Sequence, residues 1–297
     1  MKILDKIREV ILNVRYLRES NKELRLLIGT GLAKQVDLTK PIRDAEFRVF
    51  SQFGEDGIIQ YLIQSIGISD QAFVEFGVET YEEANTKFLL MHDNWRGLVI
   101  DGSSSNIDHV RKDPNFWKYD LTAVSSFIKM DNINTLLKEN GFSGEIGLLS
   151  IDIDGNDYWV WKAINVVQPA IVIIEYNSLF GPERAITIPY QADFVRSNAH
   201  YSNLYFGASF GAVCDLATEK GYALVACNKA GNNAFFVRKD LLGHLKEVSP
   251  QELFTQARFR EARNANNELS FASLEQRLAE IKGLPVFNTR TGQLEAF

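Results

Sequence analysis

Apolar and polar positions follow two rhythms along this chain. In residues 1–19, apolar residues recur at helical spacing with charges between them, which predicts an amphipathic helix. Lys40-Pro41 ends this arm, because proline cannot continue a helix and restrains its predecessor. Residues 51–66 again show helical spacing. Residues 71–78 form a short, largely apolar run of the kind a buried parallel strand needs. From there strands and helices are predicted in alternation. The strands fall at 97–101, around 117–121, at 146–154 and at 170–176, and the helices at 82–93, 106–112, 132–140 and 159–165. Such alternation means a parallel sheet wound on both faces.

The end of the pattern is different. A helix at 210–220, stopped by Gly221, leads to two apolar runs at 222–228 and 232–238, joined only by Lys229-Ala230-Gly231. That loop is too short for a parallel crossover, so the two runs must form an antiparallel hairpin. The expectation is a doubly wound, mostly parallel α/β sheet closed by an antiparallel hairpin, Rossmann-like in plan. It divides into an N-terminal helical arm (1–45), the sheet domain (46–242) and a C-terminal helical extension (243–297). Helices are expected in the extension at 251–263 and 271–282. It could cap the domain or form part of a substrate pocket.

Composition narrows the class of partner. Of 297 residues 45% are hydrophobic and 24% charged, an ordinary globular balance. The net charge of −6 argues against nucleic acid and for a small-molecule substrate. Cys214 and Cys227 form no CxxC pair and the four histidines no HxxxH pattern, so no zinc site is expected and a cytoplasmic setting fits. No apolar run reaches the roughly 20 residues that span a bilayer. The N-terminal arm is expected to pack on the domain or on a second copy as a homodimer, with a membrane surface as the alternative.

Ligands of open parallel sheets bind beyond the carboxyl ends of the strands. The first strand ends in Val74-Glu75-Phe76-Gly77-Val78-Glu79, with one glycine where a dinucleotide fingerprint has three. A phosphate-free cofactor tolerates such a loop. S-adenosylmethionine (SAM) fits, with Gly77 near its methionine part and Glu75 and Glu79 facing its amino group. Asp101, ending the second strand, can accept bonds from ribose hydroxyls, and Asp120, read as ending the third, from an adenine amino group.

The fourth strand carries Asp152 and Asp154. Strand alternation would place both on one face, where two carboxylates need a cation, a proton or donors. The fifth strand ends nearby in Glu175-Tyr176-Asn177. Asp154, Glu175 and Asn177 form an oxygen set suited to Mg²⁺ or Mn²⁺. Asp154 is the candidate base for taking a proton from a hydroxyl, with Asp152 beside it. Asp157 is read as a helix cap instead. Phe180, Arg184, Tyr190, His200 and Tyr205 are expected to line an acceptor pocket, with His200 as a second candidate base.

With these residues in view, the chain resembles the FkbM-type methyltransferases over about residues 48–240. The similar segments are Ser51-Gln52-Phe53-Gly54-Glu55-Asp56, Phe73 to Gly77 with Asn85-Thr86, Gly97 to Gly102, Leu149 to Trp161, Ile174 to Asn177 and Tyr205 to Ser209, followed by the hairpin. The resemblance implies SAM as cofactor, with Asn85 and Asp152 beside it, and O-methylation of a sugar, glycan or other small-molecule hydroxyl. A more distant similarity is to metal-dependent macrolide-sugar methyltransferases. There a DGD motif stands where Asp154-Gly155-Asn156 stand here, and an acidic pair where Glu175-Tyr176-Asn177 stand. Two alternatives stay open: a silent binding or scaffold protein on this fold, and an NAD-dependent sugar-modifying enzyme.

Overall fold

The computed structural model describes residues 2–297. Its elements run in the order α1 (Lys2–Ala33), α2 (Glu55–Ser65), β1 (Ala72–Phe76), α3 (Lys87–His92), β2 (Arg96–Asp101), α4 (Ser104–Arg111), β3 (Leu121–Ser125), α5 (Ile133–Glu139), β4 (Gly144–Ile151), α6 (Asp157–Ala163) and β5 (Val167–Glu175). Then come β6 (Ile186–Thr187), α7 (Arg196–Ala199), α8 (Phe210–Glu219), β7 (Tyr222–Cys227), β8 (Asn233–Arg238), α9 (Pro250–Leu253), α10 (Leu274–Ile281), β9 (Pro285–Asn288) and β10 (Gln293–Ala296).

The main sheet has the order β3-β2-β1-β4-β5-β8-β7. The strands β3, β2, β1, β4 and β5 pair in parallel, and β8 runs antiparallel to both of its neighbours. This is the doubly wound, mostly parallel, Rossmann-like sheet that the sequence pattern called for, hairpin included. Both faces are covered, so successive residues of one strand enter different cores. Val74, Leu149 and Val172 pack with Trp161 and Phe210 on one side. Phe73, Leu148 and Ile171 pack with Ile58 and Leu62 of α2 on the other.

Three departures from the expected elements matter for the site. The expected helix at 82–93 begins only at Lys87, because 77–86 is a loop in which Glu79 and Tyr81 take positive φ. The third strand starts at Leu121 instead of ending there. Asp120 therefore sits at its amino end, its carbonyl accepting from the Gly97 amide at 2.8 Å.

The third departure is the C-terminal extension, which is not simply helical. Of the expected helix at 251–263 only α9 forms. Beyond it, Asn264 turns the chain by accepting from the amides of Asn266 and Glu268 at 2.9 and 3.0 Å, which competes with helix. The last residues form the hairpin β9–β10, which joins β6 in a small antiparallel sheet. No helix among the described residues is long and apolar enough to cross a membrane.

Candidate functional site

Beyond the carboxyl ends of β1, β2, β4 and β5 lies a cavity of about 590 Å³. Glu75, Gly77, Glu79, Asn85, Asp101, Asp152, Asp154, Glu175 and Asn177 all line it. Asp120 and His200 do not.

Gly77 has φ +70, and a Cβ there would come within 1.6 Å of the Asp152 carbonyl oxygen. Only glycine lets the end of β1 pass this close to the chain leaving β4. Asp101 at the tip of β2 is nearly buried. Its Oδ2 accepts from the Glu79 amide (2.8 Å), and its Oδ1 from the Ser103 amide (2.7 Å) and Asn106 Nδ2 (3.2 Å). A carboxylate offers about four acceptor positions, so about one stays free.

Glu75 serves a different purpose from the one its position suggests. Its two oxygens accept from the amides of Asn85 and Thr86 (2.8 and 3.0 Å) and from Thr86 Oγ1 (2.5 Å). It thereby holds the 77–86 loop against β1. Burial pushes its carboxyl up to about 7 against the pull of those hydrogen bonds. Asn85 in turn donates to Ser150 Oγ on β4 at 3.1 Å.

The acids after β4 are brought together by a loop and not by strand alternation. Strand β4 ends at Ile151, and Asp154 has φ +55. Asp157 makes this loop curl: its Oδ1 accepts from the Ile153 amide (2.8 Å) and its Oδ2 from the Gly155 amide (2.9 Å). Burial raises the Asp157 carboxyl to about 6 despite these donors. Ile151 pairs with Ile174, so Asp152 and Glu175 leave adjacent strands side by side. Carboxylate oxygens of Asp152, Asp154 and Glu175 lie within 4.8 Å of one another.

Asp152 and Glu175 are half-buried, because the cavity still reaches them. Burial, then the charges of Asp154 and Asp157, holds the Asp152 carboxyl well above the usual carboxylate range. Burial, then Asp152 and Asp154, does the same to Glu175.

Arg196, on α7, faces this cluster, and nothing in the sequence pattern pointed to it. Its Nη1 donates to Asp154 Oδ1 at 2.6 Å and its Nη2 lies 2.9 Å from Glu261. Its Nε donates to the Asn203 carbonyl at 2.7 Å, and the guanidinium sits 3.6 Å from the Phe206 ring centroid. Burial opposes the Arg196 charge, but Glu175, Glu261 and Asp154 outweigh it and hold its pKa up.

Several expected site residues are engaged elsewhere. The Asn177 amide donates to the carbonyls of Leu204 and Phe206 (2.9 and 3.0 Å), and its oxygen accepts from the Leu179 amide (3.1 Å). It braces the strand-five loop, and the acids whose oxygens could together hold an ion are Asp152, Asp154 and Glu175. His200 packs at a tilt against Tyr201, with ring centroids 4.4 Å apart, and its Nδ1 is paired with Ser202 Oγ at 2.7 Å, away from the cavity. The second candidate base is therefore withdrawn.

Phe180, Arg184, Tyr190 and Tyr205 also miss the cavity, because the small sheet absorbs their segment: Phe180 and Tyr205 pack in its core and Arg184 pairs with Glu295 at 2.6 Å. The wall they were expected to make comes from Phe53, Phe127, Phe194 and Phe206, and from Phe259, Glu261 and Arg277 of the C-terminal extension. Phe53 and Phe259 stack with centroids 4.8 Å apart. The extension thus forms part of the cavity.

No family model matches the chain, and no curated protein matches it. Similar solved structures include an O-methyltransferase from Bacillus cereus in complex with S-adenosylhomocysteine (SAH). It is 15% identical, with 73% of this chain and 89% of that chain covered and a TM-score of 0.41. A SAM-dependent methyltransferase from Clostridium acetobutylicum is 11% identical over 62% of this chain and 89% of its own, with a TM-score of 0.40. The N-terminal domain of EvdMO1 with SAH bound is 8% identical over 62% and 79%, also at 0.40. Likeness at this level carries no argument about chemistry; the fold stands on the order and direction of the strands.

Proposed function

We propose that the chain is a SAM-dependent O-methyltransferase acting on a hydroxyl of a sugar, glycan or other small molecule. The observation that carries this reading is the placement of Gly77, Asp101, Asp152 and Glu175 at successive strand ends around one cavity on a sheet of methyltransferase topology. A cavity of about 590 Å³ falls within the roughly 300–1,000 Å³ usual for small-ligand sites. On this reading Gly77 gives a ligand access to the backbone, the free position on Asp101 accepts from a ribose hydroxyl, and Glu79 faces the amino end. Phe127 and Ile128, which follow β3, take over the adenine side from Asp120.

Bound SAM supplies the electrophilic methyl group; the chain binds and orients the acceptor and accepts its proton. Asp154 is the proposed proton acceptor, with Asp152 and Glu175 beside it and Arg196 holding its carboxylate. Arg277 is nearly buried with its Nε unpartnered, which offers a donor to an oxygen-rich acceptor. A divalent ion suits the all-oxygen set of Asp152, Asp154 and Glu175 and would lower the pKa of a bound hydroxyl there; Arg196 must then swing off Asp154. The two free, buried thiols fit a cytoplasmic setting.

A second reading, a binding protein without turnover, is favoured by the Arg196–Asp154 pair, which engages one oxygen of the proposed base. Calorimetric titration with SAM, SAH and NAD tests the proposal. One site per chain for SAM and SAH and none for NAD is expected, with Asp101→Ala weakening SAM at least about tenfold. A folded chain that binds neither SAM nor SAH at high micromolar concentration contradicts both readings of the cavity as a SAM site.

A further inference from the structure

The first half of α1 has nothing among the described residues of its own chain to pack on, and its exposed face carries an ordered pattern. Ile7, Val10, Val14, Leu17, Asn21, Leu24 and Ile28 follow one another at alternating steps of three and four. That is the heptad spacing of a coiled coil, with Ile7, Val14, Asn21 and Ile28 at a and Val10, Leu17 and Leu24 at d. The apolar members of the stripe are open to solvent, among them Val10 (60%), Leu17 (60%) and Ile28 (62%). Leu4 and Ile11 at e and Leu27 at g widen it. At Gly31, the next d position, the stripe stops.

A different stripe of the same helix holds it to the domain. Glu19 accepts from Asn115 Nδ2 at 2.7 Å, and Lys22 pairs with Asp113 at 3.2 Å. Leu26 packs against the cluster of Val49, Phe50 and Phe88. Gly29 lies so close that a Cβ would come 2.5 Å from Val49 Cγ2. At about 100° per residue, this stripe and the heptad stripe lie about 140° apart round the helix. The domain therefore leaves the heptad face free.

We infer that this face is the seam of a parallel, two-stranded coiled coil with a second copy of the chain. β-branched residues at a and Leu at d favour two strands, and a lone polar Asn at a fixes register and partner number. In a parallel pair the two Asn21 amides meet and hydrogen-bond each other. In an antiparallel pair a and d positions face, so each Asn21 would lie against an apolar side chain with its amide unsatisfied. Parallel g-to-e pairs oppose no like charges: Lys6 meets Ile11, Asn13 meets Arg18 and Ser20 meets Arg25. At about 1.5 Å per residue the seam runs for about 30 Å, with each domain on the outer side of its own helix.

Light scattering on the full chain at micromolar concentration should give the mass of a dimer. A Val14→Arg, Leu17→Arg double variant should halve that mass and leave the thermal transition of the sheet domain in place, since neither side chain touches the domain. Val14→Cys should give a self-linked dimer on mild oxidation, because only a parallel register sets this position against itself; Cys214 and Cys227 are buried and do not compete. Asn21→Val should add larger oligomers. A monomer at every concentration, a dimer indifferent to the double variant, or cross-linking only between Ile7→Cys and Leu24→Cys chains would each overturn the inference. So would a monomer that sediments with phosphatidylserine vesicles and loses this in the double variant.

Discussion

Two acidic motifs stand at the same rim of the sheet and have opposite fates. In Ser51 to Asp56, both acids accept several hydrogen bonds, although Asp56 Oδ1 is buried without a partner among the described residues. Asp56 Oδ2 accepts from the amides of Val49, Phe50 and Ser51 and from Ser51 Oγ, at 2.7 to 2.8 Å. Glu55 accepts from Asn228 and Asn233 at the β7–β8 turn and from the Phe53 amide (2.7, 3.0 and 2.8 Å). Glu55 ties α2 to the hairpin, and Asp56 ties it to the 49–51 segment.

In Asp152 to Asp157 only Asp157 is used this way. Asp152 and Glu175 accept no hydrogen bond from a described side chain or amide, and Asp154 has Arg196 alone. Half-buried carboxylates left without donors cost stability. On the proposed function, the fold keeps them at the mouth of the cavity for a ligand. A run of acids in the sequence therefore marks a place, and the donors around it decide what the place does.

The comparison can be broken at several points. Asp56→Ala leaves three amides and a hydroxyl without their acceptor, and denaturant unfolding should show a loss of roughly 3–5 kcal/mol. A loss under about 1 kcal/mol would remove the distinction between the motifs. Gly77→Ala should cost about 3 kcal/mol from the positive φ and the clash with Asp152, and should abolish SAH binding.

Glu75 contributes through pH. Its folded pKa of about 7 exceeds the ordinary 4.5, so its contribution is complete below about pH 4.5 and lost as pH rises through about 7. The loss amounts to about 2–3 kcal/mol, and Glu75→Gln should shrink the fall in Tm from about pH 5 to about pH 7.5. An unchanged fall would show that Glu75 is not the group titrating. The smallest effect is expected at Asp152→Asn: within about 1 kcal/mol of the parent in unfolding, or slightly more stable, because it relieves the repulsion with Glu175. A loss as large as that of Asp56→Ala would put Asp152 among the structural acids.

Much of this was legible in the sequence. Periodicity gave the succession of central strands along the chain, and the three-residue link at 229–231 required the antiparallel hairpin. Gly77, Asp101, Asp152 and Glu175 line the cavity because strand ends converge there whatever the loops do. What was not legible depended on loops and on long-range contacts. The edge strand β3 is only partly buried and lacks a strong apolar signal, so its placement slipped by several residues and Asp120 fell at the wrong end. Asn177 looked like a ligand, since nothing local shows that two distant carbonyls take its amide. Arg196 comes from a segment without periodicity, and Phe259 and Arg277 from stretches that read only as helical, all far in sequence from the acids they join.

The most direct measurement is the electron density of the chain crystallised with SAH. The account predicts the ligand across the tips of β1 and β2, its ribose on Asp101, its backbone contact at Gly77 and its sulfur facing Asp152 and Asp154. Density for SAH elsewhere, or a cavity without SAH in crystals saturated with it, would contradict it.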